Sequence, residues 1–268
     1  MVAFPPCKIN LGLHVVRKRT DGYHELETCF YPIPWTDVLE IIPAAETAFA
    51  SSGIVIPGDP SSNLCLKAYR LLREDFEIPP IKIHLHKVIP TGAGLGGGSS
   101  DGAFTLRMLN AIFSLNIAEK RLMEYASVLG SDCAFFIQDQ PMLGTGRGEV
   151  LIPSLFSLNG KYIVLINPNV HVSTADAFGG IVPAIPKHSL VTLLDNDISS
   201  WKDALKNDFE SNVFRKHPRI GELKDVLYKS GALYASMTGS GSTVYGIFVS
   251  DPLLKPEVKK LVNWSGPL

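Results

Sequence analysis

Glycine and serine dominate one stretch of the chain, PTGAGLGGGSSDG, which runs from Pro90 to Gly102 and contains six glycines. Glycines let backbone N–H groups approach a ligand closely, and the start of a following helix attracts anions. A flexible surface loop is the plainer interpretation of a glycine run. The strand pattern before this stretch and the apolar helix pattern after it favour a loop that binds a phosphate group.

Two common phosphate-loop patterns do not explain the stretch. Gly92, Gly94 and Gly97 match G-x-G-x-x-G, but a dinucleotide-binding unit needs a second strand after the helix, and a second helix pattern follows here. The Walker pattern needs a lysine before the serine, and position 98 is glycine. A basic group for the phosphates must therefore come from another part of the chain.

Lys8, in PPCKINLGL, and Asp132, in LGSDCAFF, are charged residues with largely apolar neighbours. Taken singly, a surface lysine and a helix-capping aspartate are the plainer interpretations. Charges in apolar settings are costly unless they pair, so a Lys–Asp couple is a reasonable hypothesis. Such a couple could take a proton from a substrate hydroxyl while the glycine loop holds the phosphate to be transferred.

Several elements must position these residues. INLGLHVV and ELETCFYPI flank Asp21-Gly22, which predicts an antiparallel hairpin. IKIHLHKV alternates as a half-exposed strand before the glycine loop, and its two histidines lack an evident third metal ligand, so no metal ligands are assigned. GAFTLRMLNAIFSL predicts a buried helix with Ser99 or Ser100 as its N-cap, and AEKRLMEYASVLG predicts a second helix.

The pattern restarts in the last part of the chain. A strand, KYIVLINP, is followed by a helix, IGELKDVLYKSG, and by the strands ALYASM and TVYGIFV around the turn TGSGS. This order is typical of a small α+β domain. We therefore expect an α+β protein of two domains, residues 1–157 and 158–268.

Composition and charge exclude several other classes. The formal net charge is −1, which leaves no electrostatic footprint for nucleic acid. The four cysteines contain no C-x-x-C pair, so neither a zinc site nor a disulfide framework is indicated. No stretch approaches the roughly 20 apolar residues of a membrane span. The sequence predicts a reduced, cytoplasmic protein with no membrane partner, and it does not determine the oligomeric state.

Three motifs in order make the resemblance specific: CKINLGLHVVRKRTDGYHELET, PTGAGLGGGSSD and TGSGSTVYGIF, with GSDCAFF and GTGRGE between the last two. The chain resembles the GHMP-superfamily kinases over essentially its whole length. KINLGL with DGYHEL resembles the branch that acts on a cytidine diphosphate-linked methylerythritol. The resemblance implies transfer of the ATP γ-phosphate to the 2-hydroxyl of that small molecule, with Mg²⁺, in non-mevalonate isoprenoid biosynthesis.

The resemblance also implies a fold and residue roles. It implies a ribosomal protein S5 domain 2-like N-terminal domain and a ferredoxin-like C-terminal domain. Asp132 matches the family's base, and Lys8 matches the lysine that lowers the barrier electrostatically. The residues that match the ATP phosphate loop are Pro90, Thr91, Gly92, Ala93, Gly94, Leu95, Gly96, Gly97, Gly98, Ser99 and Ser100.

The same resemblance implies a set of substrate contacts. Tyr23 matches a ring that stacks on cytosine, His24 a residue that hydrogen-bonds it, and Asn10 a substrate-contacting asparagine. Phe178, in HVSTADAF, is the candidate for a second stacking ring.

Some alternatives stay open at this stage. Asp101 either points away from the phosphate site or helps to hold Mg²⁺, and TGSGS is either a simple hairpin turn or a second element near the phosphates. Another GHMP kinase, acting on homoserine or mevalonate, is a competing enzyme hypothesis. A non-catalytic nucleotide-binding module on the same fold is a competing hypothesis of another class.

Overall fold

The computed structural model describes all 268 residues of the chain. The strands, in chain order, are β1 (Val2–Ala3), β2 (Pro6–Lys18), β3 (His24–Thr36), β4 (Val38–Pro43), β5 (Ala48–Gly53), β6 (Ile81–Lys87), β7 (Met142–Thr145), β8 (Val150–Pro153), β9 (Tyr162–Ile166), β10 (Tyr234–Met237), β11 (Val244–Phe248) and β12 (Trp264–Pro267). The α-helices are α1 (Leu64–Asp75), α2 (Gly97–Ile112), α3 (Glu119–Leu129), α4 (Phe135–Gln138), α5 (Thr174–Phe178), α6 (Leu190–Leu194), α7 (Trp201–Ala204), α8 (Glu210–Lys216), α9 (Pro218–Lys229) and α10 (Pro256–Lys259). None of these helices combines the length and the apolar character that crossing a membrane requires.

The chain divides into two compact units, and each is built from separate stretches of sequence. The first unit contains Met1–Lys8, Trp35–Thr91 and Gly96–Gln140. The second contains Ile9–Pro34, Gly92–Leu95 and Pro141–Leu268. The domain boundary at residue 157 stays a prediction.

The first unit holds a four-stranded sheet in the order β1-β4-β6-β5, in which β5 runs parallel to β6 and the other pairs are antiparallel. Along β6 the residues alternate between buried and exposed, with His84 and His86 on the exposed face, as the sequence predicts. Helix α1 packs against α2 and α3. Its start is capped by the Asn63 side chain, which accepts a hydrogen bond from Cys65 N at 2.9 Å.

The start of helix α2 differs from the prediction. Ser99 or Ser100 is expected as the N-cap, but the N-cap is Gly96, which has a φ of 70° and provides no side-chain cap. Both serines lie inside the first turn, and Ser100 N donates to Gly96 O at 2.9 Å. The prediction is wrong because a left-handed glycine lets the chain turn into the helix before it reaches the serines.

The second unit contains most of the sheet β2-β3-β7-β8 and the whole of the sheet β10-β11-β9-β12. The predicted hairpin between β2 and β3 is confirmed, with Arg19 N donating to Tyr23 O at 2.8 Å and Gly22 at a φ of 85°. The predicted turn between β10 and β11 is confirmed as well, since Thr238 N donates to Thr243 O at 3.0 Å. Side chains from β2, β9, β11, α8 and α9 form one apolar core in this unit.

Candidate active site

The glycine loop leads from β6 into α2, and each of its glycines faces a different environment. Gly92, Gly94 and Gly96 have positive φ angles, between 65° and 79°. A Cβ built on Gly96 would lie 3.1 Å from Lys8 Cε and 3.0 Å from Phe136, so this backbone runs directly over the lysine side chain. The loop is therefore shaped by close approach of backbone to neighbouring atoms.

Gly97 and Gly98 begin helix α2 but differ in the space around them. A Cβ on Gly97 would lie 2.9 Å from Ile89 Cγ2 and 2.9 Å from Lys87 Nζ. Packing against neighbouring protein atoms, independent of any ligand, therefore favours glycine at this position. Gly98 is exposed, and a Cβ there would have no protein atom within 4 Å. Since no side chain caps the helix, its first amides are available to an anion at this open position.

Lys8 and Asp132 lie together in the first unit. Lys8 Nζ is 3.4 Å from Asp132 Oδ2, although 124 positions separate the two residues along the chain (132 − 8). The lysine side chain is 3% exposed and the aspartate side chain is 32% exposed. The buried ammonium group is thus paired with a carboxylate that a ligand in solvent can reach.

A second group of buried charges, which is not predicted from the sequence, lies under the start of α2. Lys87 Nζ donates to Asp37 and, at 2.8 Å, to Asp101 Oδ2. Asp37 Oδ1 also accepts the backbone N–H groups of Val88 and Ile89, at 2.6 and 2.8 Å. Burial lowers the pKa of Lys87, but the two carboxylates raise it more, so the net direction is upward. We name Lys87, Asp37 and Asp101 the buried charge cluster.

The buried charge cluster decides between the two alternatives for Asp101. The Asp101 side chain is 3% exposed and its carboxyl is bound by Lys87, so it points away from the open position at Gly98. Burial raises the pKa of Asp101, and the charge of Lys87 offsets only part of that rise. No group of three or more histidine, cysteine, aspartate or glutamate residues is arranged to hold a metal ion.

Tyr23 lies at the end of the β2–β3 hairpin, in the second unit, and is 56% exposed. The guanidinium carbon of Arg147 lies 4.9 Å from the centre of its ring, a cation–π distance. Arg147 belongs to the motif GTGRGE, whose Gly146 N donates to Glu25 Oε1 at 3.0 Å. The motif is visible in the sequence, but no role is predicted for Arg147 from it. A basic residue between two glycines was the available signal.

His24 and Phe178 are in direct contact. Their rings are stacked, with centroids 4.7 Å apart and an interplanar angle of 19°. Phe178 also meets Phe209 edge-on at 4.7 Å, which anchors it to the apolar core of the second unit. The structure thus brings together two of the residues predicted to recognise cytosine.

Asn10 is buried in a hydrogen-bonded network of the second unit. Its Nδ2 donates to Thr28 Oγ1 at 3.0 Å, and its backbone N–H donates to Thr238 Oγ1 at 3.0 Å. The Thr238 hydroxyl is also 3.1 Å from the carbonyl oxygen of Gly94. The turn TGSGS is therefore more than a hairpin turn, because it contacts the glycine loop. Contact of Asn10 with a substrate stays a prediction.

Comparison with known proteins shows the family. The GHMP kinases N terminal domain matches residues 63–146, and the GHMP kinases C terminal domain matches residues 189–261. A 4-diphosphocytidyl-2-C-methyl-D-erythritol kinase from Cytophaga hutchinsonii is 53% identical over 94% of both chains. A crystal structure of 4-(cytidine 5'-diphospho)-2C-methyl-D-erythritol kinase has a TM-score of 0.82 and 29% identity over 99% of this chain and 98% of that one. A homoserine kinase structure from the same Cytophaga species shares the fold, with a TM-score of 0.61, but only 19% identity over 92% of this chain and 86% of that one.

Proposed function

The chain belongs to the GHMP kinases and, among them, to the 4-diphosphocytidyl-2-C-methyl-D-erythritol kinases, and on this premise we propose which of its residues carry out the reaction. It is a phosphotransferase with an alcohol as acceptor, and it acts in isoprenoid biosynthesis. The two alternatives, a homoserine or mevalonate kinase and a non-catalytic module, are not favoured by these relatives. The phosphoryl donor is ATP, and the acceptor is the 2-hydroxyl of the methylerythritol unit.

The pair Lys8–Asp132 is the observation that carries this proposal. Asp132 accepts the proton of the substrate 2-hydroxyl, and the oxygen forms a bond to the γ-phosphorus of ATP. The bond between that phosphorus and the β,γ-bridging oxygen breaks, and ADP leaves with the electron pair. Lys8, 3.4 Å from the carboxylate, supplies positive charge beside the reacting oxygen.

The glycine loop holds the ATP phosphates in this proposal. The uncapped amides at the start of α2 donate to phosphate oxygens, and the helix dipole favours their negative charge. Gly98, which has open space where a Cβ would lie, marks the point of close approach. Mg²⁺, when bound together with ATP, would supply positive charge to the phosphate oxygens that the glycine loop holds.

In this proposal, cytosine is recognised by residues at the end of the β2–β3 hairpin. Tyr23 offers an exposed ring to one face of the base, but stacking barely distinguishes cytosine from uracil. Hydrogen bonds must provide that distinction, and His24 is the residue that reads the base edge. The His24 ring stacks on one face of Phe178, with ring centroids 4.7 Å apart. A base that stacked on this face of Phe178 would therefore first have to separate the two rings. Its role as the second stacking ring stays a prediction.

The activity is tested by measuring ADP release with the cytidine diphosphate-linked methylerythritol, homoserine and mevalonate as acceptors. We expect release with the cytidine substrate alone. Release with homoserine or mevalonate in its place would contradict the proposed acceptor. Absence of release with all three would contradict catalysis.

The roles of Tyr23 and His24 are separated by kcat/KM for the cytidine substrate and its uridine analogue. Tyr23→Ala should raise KM for the cytidine substrate, since stacking is worth about 1–3 kcal/mol, and should leave the preference for cytosine nearly intact. His24→Ala should erode that preference. A His24→Ala enzyme that discriminates as well as wild type does would exclude His24 as the base reader.

A further inference from the structure

The turn Thr238–Ser242 packs against the part of the glycine loop that belongs to the second unit. The Thr238 hydroxyl lies 3.1 Å from Gly94 O, and Thr243 N donates to Ala93 O at 3.2 Å. A Cβ on Gly94 would overlap the carbonyl oxygen of Thr238, so the two backbones touch. The position of Gly94 therefore depends on the position of this turn.

A single amide group holds the turn from its other side. Asn207 Nδ2 donates to the carbonyl oxygens of Met237 and Gly239, at 2.8 and 2.9 Å. These two carbonyls lie on either side of Thr238, the residue that contacts the glycine loop. Asn207 is 3% exposed, so its hydrogen bonds are shielded from competing water.

The orientation of the Asn207 amide is determined by its own neighbour. Its Oδ1 accepts a hydrogen bond from Phe209 N at 3.0 Å, which directs the NH₂ group at the two carbonyls. Asn207 begins the sequence Asn-Asp-Phe-Glu, in which the two acidic side chains bind other segments. Asp208 Oδ2 accepts from Val15 N at 2.8 Å on β2, and Glu210 Oε1 accepts from Met237 N at 2.8 Å on β10. Asn207 is the member of this sequence that bonds the turn residue Gly239.

We propose that Asn207 is a positioning residue for ATP, because it fixes the turn at Thr238 and thereby the glycine loop at Gly94. The inference rests on the proposed function of that loop in binding the ATP phosphates. Asn207 touches neither the phosphates nor the acceptor. Its loss displaces loop backbone and weakens ATP binding, while the cytidine site at Tyr23 keeps its own contacts.

The test compares Asn207→Asp and Asn207→Ala with Asp208→Ala as the matched control. Asn207→Asp keeps the size of the side chain but turns a donor into an acceptor that faces two carbonyl oxygens. Asp208→Ala removes a neighbouring hydrogen bond, to Val15 N, that does not reach the turn. We measure KM for ATP, KM for the cytidine substrate and the melting temperature of each variant.

Both Asn207 variants should raise KM for ATP about tenfold, the effect of losing roughly 1.4 kcal/mol of hydrogen bonding, with KM for the cytidine substrate within about twofold of wild type. Asp208→Ala should lower the melting temperature but leave KM for ATP unchanged. A folded Asn207→Ala enzyme with a wild-type KM for ATP would overturn the inference. An equal rise in both KM values, an equal effect of Asp208→Ala, or failure of both Asn207 variants to fold would also overturn it.

Gly98→Ala separates this inference from the proposed function. A methyl group at Gly98 meets no protein atom, so it interferes only with a bound ligand. If Gly98→Ala raises KM for ATP and the Asn207 variants do not, the positioning role of Asn207 is contradicted, but the proposed binding of ATP phosphates by the glycine loop is supported. If Gly98→Ala leaves KM for ATP unchanged, the proposed loop function fails, and the inference fails with it.

Discussion

Two lysine–aspartate groups in the first unit use the same side chains in opposite ways. In the pair Lys8–Asp132 the carboxylate is 32% exposed and lies 3.4 Å from the ammonium group. In the buried charge cluster, Lys87 is 1% exposed and bonds both Asp37 and Asp101, which are 0% and 2% exposed. The residue types are the same in the two groups, although the cluster has a second aspartate, but only the carboxylate of the pair is open to a substrate.

The difference shows what a buried charge requires. Asp37 is satisfied by Lys87 and by two backbone N–H groups, so the cluster ties β6 and the start of β4 to helix α2. Such groups are costly to break because a charge is then left without a partner in a low-dielectric site. The Lys8–Asp132 pair has a looser geometry and an exposed oxygen partner, which suits proton transfer to and from a ligand.

Breaking the buried charge cluster should give the largest effect. Lys87→Ala leaves two carboxylates buried without their cation, and we expect a loss of about 3–5 kcal/mol in the free energy of unfolding. Urea denaturation monitored by circular dichroism measures this loss. Lys8→Ala serves as the comparison and should cost less, because the partner Asp132 is partly exposed. An equal loss in both variants would remove the distinction between the two groups.

Neutralising the partly exposed carboxylate should affect catalysis most, with a smaller loss of stability than breaking the buried charge cluster, because its partner Lys8 is buried but Asp132 is 32% exposed. Asp132→Asn should lower kcat at least about 10²-fold, because the general base is lost, while KM for ATP changes little. Lys8→Ala should lower kcat similarly. Steady-state kinetics with a melting curve checks both statements. Near-normal turnover in a folded Asp132→Asn enzyme would exclude Asp132 as the base.

The smallest expected effect is the pH dependence of stability that Asp101 gives to the buried charge cluster. The pKa of Asp101 is raised by burial, so the folded protein binds its proton more tightly than the unfolded chain does. Its contribution to stability is therefore full below the unfolded pKa, near 3.8, and is lost as pH rises through the folded pKa. The slope is at most about 1.4 kcal/mol per pH unit for one proton.

Asp101→Asn should flatten that slope, because the amide keeps an acceptor for Lys87 and does not titrate in this range. The free energy of unfolding, measured in urea at several pH values above 4, gives the slope for each protein. Identical slopes in wild type and Asp101→Asn would show that Asp101 is not the titrating group.

Local sequence was sufficient for much of the fold. The alternation in IKIHLHKV predicted β6, the Asp21-Gly22 pair predicted the hairpin, and TGSGS predicted the turn between β10 and β11. The start of α2 was the local error, since Gly96 rather than a serine occupies the N-cap. Side-chain capping preferences do not include the option that a left-handed glycine provides.

The sequence by itself determined the elements, the glycine loop, the residue types suited to phosphoryl transfer and the resemblance to GHMP kinases. Local periodicity and turn chemistry act over a few residues, so these features can be read along the chain. Only the tertiary structure decided that Lys8 meets Asp132, that Lys87 engages Asp37 and Asp101, and that Asn207 holds the turn at Thr238. Burial and hydrogen-bond partners 14 or more positions apart decide whether a charged or polar residue is structural or available to a ligand, and those partners are brought together by packing alone.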